Sequence, residues 1–240
     1  MILFLDLVFL FFIGCTFGWI LELFYRRLAH GYWVNPGFLV GPYLPIYGFG
    51  LCTLTAIYLT FYEMNLPSIL VIIFMGAAMT LIEFIGGLSF VNKPVKLWDY
   101  SNNWGNYKGI ICPLFSLIWT LISAGYYFFL SEFIIDKVLW FNNHLIFSYV
   151  LGLFSATIVI DYFYSTKLLS KVRKYAKDSG AIIRYEEFKR TVKEHQQKAK
   201  EKYSFIFPLI TTMDLKPYIH SYKKHLKRFK RTKNNSTKQK

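Results

Sequence analysis

Five stretches of this chain are apolar over the length a helix needs to cross a bilayer, roughly 20 residues, and no other feature restricts its fold as strongly. They run about 2–25, 43–62, 67–90, 110–131 and 144–166. Each is apolar all round, whereas a soluble helix carries its apolar residues along one stripe. Trp19, Tyr25, Tyr43, Tyr58, Tyr62, Tyr126, Trp140 and Tyr149 gather toward their ends, as aromatic belts do at headgroup level. The first stretch has no basic lead and no small-residue cleavage site, and Asp6 follows its start. It therefore reads as a retained span, not a secretory signal. The expectation is an all-α polytopic membrane protein. Residues 1–166 form a five-helix transmembrane domain, and residues 167–240 form a basic, helical cytoplasmic tail with a disordered C-terminus.

Charge is divided just as unevenly. Residues 1–166 hold 6 Lys/Arg against 8 Asp/Glu, and residues 167–240 hold 22 against 6. The connections alternate: Arg26 and Arg27 after the first span, Glu63 and no base after the second, then Lys93, Lys96 and Lys108. Glu132, Asp136 and a single Lys137 follow the fourth span, and the basic tail follows the fifth. Bases mark cytoplasmic loops. The pattern predicts a multi-pass plasma-membrane protein with its N-terminus outside and its C-terminus in the cytoplasm.

Two connections look structured. The first, from Gly31 to Gly48, contains Gly37, Gly41, Pro42, Tyr43, Pro45, Tyr47 and Gly48. Its glycines allow close backbone approach and its prolines can open a helix but not continue one, so it should fold onto or slightly into the membrane. The second, Val91 to Gly109, carries Trp98, Asp99, Tyr100, Ser101, Asn102, Asn103 and Asn106. In the tail, helix five should run on to a break at Gly180, followed by a charged helix over about 184–203. Beyond it, Tyr218, Ile219, Tyr222, Leu226 and Phe229 share one face among many bases. That pattern suits a helix lying on anionic lipid headgroups.

Three carboxylates lie within spans away from the predicted extracellular end: Glu22, Glu83 and Asp161. A charge at the centre of a span costs about 2.5–3.5 kcal/mol on insertion scales, so each needs a reason. One reading is a proton-, cation- or substrate-binding site, joined by Asp99, Trp98, Tyr100, Ser101 and Asn106. The other is simple pairing. Glu22 stands one turn from Arg26 and Asp161 is near Lys167, while Glu83 has no nearby base in sequence. Asp99 equally suits a turn or a helix cap.

Several chemistries find no motif. The three cysteines, Cys15, Cys52 and Cys112, read as apolar fillers, and the five histidines form no metal-binding pattern. No cofactor is expected. There is neither a nucleophile motif nor a phosphate-binding loop. Any ATPase serving this protein would be another chain. The tail's charge is better matched by nearby anionic lipid than by nucleic acid.

The run from Gly37 to Gly48 resembles the signature of the Putative ABC-transporter type IV family of bacterial polytopic membrane proteins. Glu83 with Phe84, Gly86 and Gly87 fits a glutamate of its third helix. Trp98 to Ser101, then Asn106, Gly109, Ile111, Cys112, Ser116 and Trp119, fit its second motif. The resemblance implies a transport role without naming a substrate. A transport-related, permease-like protein is the first reading, with a separate ATPase or other membrane subunit as partner. A membrane scaffold or regulator is the second, and a membrane-embedded enzyme on lipid headgroups the third. The absence of a nucleophile–base pair favours a non-enzyme.

Overall fold

The structure, a computed structural model, describes residues 4–31, 33–62, 64, 66–198 and 216–222. Five segments are long and apolar enough to cross a membrane: Phe4–Ala29, Pro45–Tyr62, Ser68–Leu88, Pro113–Asn142 and Leu145–Asp178. Helix α1 spans Phe4–His30, α2 Pro45–Tyr62 and α3 Ser68–Leu88. Helices α4 (Pro113–Gly125) and α5 (Ser131–Asn142) are joined by a π-helical turn over Tyr126–Leu130. Helix α6 is Ser148–Asp178 and α7 is Tyr185–Lys198.

The fourth span is longer than its sequence suggests. Glu132, Asp136 and Lys137 look like loop, yet residues 131–142 are helical. Ile134 and Phe141 are buried on one face, and Phe141 stacks on Phe9 at 4.6 Å. The π turn inserts one extra residue per turn locally and so re-aims a helix face. Here both Tyr126 before it and Ile134 after it point into the bundle. A second buried cluster element is Met75, which with Leu10, Leu54, Val71 and Met79 fills the space between α1, α2 and α3.

The described part of the tail is packed into the structure. Helix α6 runs through to Asp178, and the chain turns at Gly180 with φ +59°. Strand β1 (Val95–Lys96) of the second structured loop then pairs in parallel with β2 (Ile183–Arg184) of the tail. Tyr185, Phe188 and Val192 of α7 sit in a core with Leu168, Val172 and Ala176 of α6 and with Val40 and Val95 of the two loops. The charged sequence of α7 thus conceals an apolar stripe at helical spacing.

Ile219 and Tyr222 belong to this core as well, at 5% and 1% exposed. Their apolar faces meet protein, which corrects the expectation that they lie on lipid. Leu226, Phe229, residues 199–203 of the charged helix and the 232–240 terminus lie outside the described residues. Both structured loops and the tail therefore occupy one end of the bundle, called the basic end below.

Candidate functional site

Glu83 lies on the buried stripe of α3 formed by Ile72, Met75, Met79 and Gly87, spaced three to four residues apart. Periodicity alone turns its carboxylate inward, where it is 4% exposed. Each oxygen receives one hydrogen bond. Tyr100 donates its hydroxyl to Oε1 at 2.9 Å, and Trp119 of α4 donates its indole N–H to Oε2 at 3.0 Å. Both donors are neutral. Among the described residues, no Lys or Arg is in ion-pair range of Glu83.

The polar chain continues from there. The Trp119 ring lies 5.9 Å from that of Tyr47, and Tyr47 donates its hydroxyl to Glu22 at 2.7 Å. Glu22 pairs with Arg26 at 2.7 Å, one turn along α1. Arg26 also pairs with Glu186 of α7, which accepts the Gly37 N–H at 3.3 Å. Two carboxylates, Glu22 and Glu186, therefore share the Arg26 guanidinium, and Glu83 lies further along the same chain without a basic partner among the described residues. Tyr47 can reach Glu22 because Gly18 leaves room for it. A Cβ on Gly18 would come within 2.2 Å of the Tyr47 side chain. The close seat of α2 on α1 shows in sequence as Gly14 and Gly18 four apart, a spacing that lets helix backbones approach.

The Val91–Gly109 loop presents Tyr100, and most of its other polar residues build the loop itself. Asp99 accepts the backbone N–H of Ser101 at 3.1 Å and its hydroxyl at 2.5 Å, and pairs with Lys96 at 3.0 Å. Partial burial alone would raise the Asp99 carboxyl. The bonds from Ser101 and Lys96 outweigh it and hold the group below the usual carboxylate range. Asn106 donates to the carbonyls of Ser101 and Asn103 and accepts from the Gly109 N–H. Trp98 donates to the Ile110 carbonyl at 2.9 Å. Gly109 has φ +70°, and a Cβ there would strike Ser101 and Asp99. Burial first, and then the charge of Glu83, pushes the Tyr100 phenol up, so it stays a protonated donor.

Asp161 stands apart from Glu83 and belongs to the Gly37–Gly48 loop. It accepts from the backbone N–H groups of Val40 (3.1 Å) and Gly41 (2.7 Å), from the Tyr43 hydroxyl (2.7 Å) and from Ser165 (2.6 Å). Lys167, the base expected beside it, is exposed. Burial, reinforced by Asp161, pushes the Tyr43 phenol up. Next to Pro42 the chain turns. Leu44 then donates its N–H to the Cys15 carbonyl of α1, and Pro45 opens α2. Gly48 sits against Cys15. Beyond Cys15, α1 meets the loop through Trp19 and Asn35 and the tail through Arg26 and Glu186.

Three site-forming residues carried no signal in sequence. Asn35 is 1% exposed. It accepts from the Trp19 indole at 2.6 Å and donates to the Leu39 and Val40 carbonyls. Lys189 donates to the carbonyls of Asn35 and Gly37. Glu186 and Lys189 read as solvated members of a charged helix, and only the Tyr185, Phe188, Val192 stripe would have shown which side of α7 is buried.

Fold and site together define a polytopic helical membrane protein with buried carboxylates gathered at its basic end. The chain belongs to the Putative ABC-transporter type IV family, whose model matches residues 9–166. That range takes in both structured loops, Glu22, Glu83 and Asp161. No curated protein and no solved structure matches the chain.

Proposed function

We propose that this protein is a transport-related, permease-like membrane component whose working group is Glu83, binding a proton or small cation from the cytoplasmic side. The observation that carries the reading is the Glu83 carboxylate itself, buried in an apolar helix and held by two neutral donors. Intramembrane carboxylates of this kind mark ion pathways and proton relays. Tyr100, Trp119, Tyr47 and Glu22 complete the site, and the surplus of carboxylate over guanidinium favours a cationic occupant. Asp99, Trp98, Ser101 and Asn106 hold the loop that delivers Tyr100, and Asp161 holds the other loop.

The basic end faces the cytoplasm in this reading, because all the Lys/Arg-rich connections converge there. The bases beyond Tyr222 then meet anionic headgroups. In this reading the partner class is an ATPase on a separate chain or another membrane subunit, which membership of an ABC-transporter-type family supports. The reading is tested with full-length protein in liposomes loaded with a pH-sensitive dye, under an imposed potential. Glu83→Gln should abolish proton or cation flux while the protein inserts normally. Unchanged flux removes Glu83 from the site.

A further inference from the structure

Two charged side chains of α7 are planted in the loop that carries Tyr43 and leads into α2. Lys189 is 3% exposed, and its ammonium reaches the carbonyls of Asn35 and Gly37, the latter at 2.9 Å. Glu186 is 7% exposed, and its carboxylate divides between the Gly37 N–H and Arg26. Gly37 is thus gripped at both its N–H and its carbonyl by one turn of the tail helix. The Arg26 Nε is buried without a hydrogen-bond partner, so Glu22 and Glu186 between them orient the guanidinium. Burying such charges is unfavourable unless they are paired. A helix that only needed to pack could have used apolar residues at both positions.

We propose that α7 is a latch on the polar site, with Glu186 and Lys189 as positioning residues. Lys189 holds the 33–44 loop down on α1 and Asp161, and Glu186, through Arg26, sets the Glu22 carboxylate that Tyr47 engages. Displacing the tail helix releases the loop and the Glu22–Tyr47 pair together. The proposal deepens the reading of Glu83 and its neighbours as the working site and rests on it, since a latch needs a site to govern.

Cys15 reports the latch. It is fully buried beneath Leu39 and Tyr43 of the loop, and the chain has only two other cysteines. In full-length Cys52→Ser/Cys112→Ser protein in lipid nanodiscs, the rate of N-ethylmaleimide attachment to Cys15 is followed by mass spectrometry. Lys189→Met keeps the stem and deletes the donors. Glu186→Gln keeps an acceptor for Gly37 and deletes the charge facing Arg26. Both should label about tenfold faster or more, the loss expected for one charged hydrogen bond.

Lys189→Gln, whose amide can serve two carbonyls, should restore much of the protection. That rescue would not follow if Lys189 mattered only for packing. Glu187→Gln should label at the parent rate, because Glu187 pairs with Arg184 and Tyr222 and not with the loop. Parent-rate labelling in both Lys189→Met and Glu186→Gln overturns the latch. If one of them fails to insert, the other decides. The assay reads loop protection and not flux, so its failure is distinct from that of the Glu83 reading, which falls when Glu83→Gln keeps its flux.

Discussion

Asp161 and Glu83 are both buried carboxylates in apolar helices, but their surroundings differ in kind. Asp161 receives two backbone N–H groups and two hydroxyls, so its lone pairs are occupied by groups fixed in place. Glu83 receives one phenol and one indole, both side chains, from two different elements. A carboxylate saturated by backbone donors cannot change partners without the loop unfolding. One held by a rotatable hydroxyl and an indole can take a proton or a cation while the scaffold stays in place. The first arrangement fastens a loop to a helix, and the second suits a group that exchanges its ligand.

The largest effect should come from Asp161. Asp161→Ala leaves the buried N–H groups of Val40 and Gly41 and the Tyr43 hydroxyl unpaired, at a cost of about 3 kcal/mol or more. Asp161→Asn should also destabilise, by about 1–3 kcal/mol. Whichever oxygen becomes NH2 then faces a backbone N–H that cannot accept. Loss of the apparent unfolding midpoint in detergent, together with faster Cys15 labelling, checks both. An Asp161→Asn protein as stable as the parent would break the comparison.

Gly18→Val comes next. Overpacking against Tyr47 should cost about 1–3 kcal/mol and should also part Tyr47 from Glu22. Flux should then fall more than it does in a variant destabilised equally at the opposite end of the bundle. Equal losses would show that the seat of Tyr47 has no special part in the site.

Glu83→Gln sharpens the contrast from the other side, because it should barely move stability, by under about 1 kcal/mol. The amide oxygen can face the Trp119 indole, and the amide NH2 can face Tyr100, whose oxygen accepts once the hydroxyl turns. Flux and stability then separate at Glu83 and fall together at Asp161. A large drop in the unfolding midpoint of Glu83→Gln would place Glu83 in the structural class.

How much of this could be read in advance depends on the kind of signal. The five spans were legible because membrane crossing imposes length and apolarity on each segment separately. The inward aim of Glu83 was nearly so, since a carboxylate in an apolar span must find partners. What faces what was not legible. Asp161 pairs with Val40 and Gly41, about 120 residues away, through backbone groups that every sequence possesses. Lys189 and Glu186 look like surface charge until the apolar stripe of α7 shows that the helix is docked. Helix α5 was missed for a related reason: three charges outweighed Ile134 and Phe141 on its buried face.

The smallest effect should be a pH dependence of the tail contact, and its sign follows from burial. Burial, with the charge of Arg26 adding to it, pushes the Lys189 ammonium down to about 7. Released into water, the same group titrates near 10.4. Between those values the released form binds one more proton than the seated form, so seating strengthens as pH rises through about 7. Below about 7 both forms carry the proton and seating is at its weakest. Neutral Lys189 keeps two N–H donors, one for each of the Asn35 and Gly37 carbonyls, so losing the proton does not break the contact. The charge acting on it is Arg26 of α1, and Glu186 of its own helix holds the same Gly37. Tyr185 beneath it stays neutral, its phenol pushed up by burial and then by Asp161. Cys15 labelling, taken at each pH as the ratio to Lys189→Met protein so that thiol chemistry cancels, should fall several-fold between pH 6.5 and 8.5. A flat ratio would mean that Lys189 keeps its proton in place.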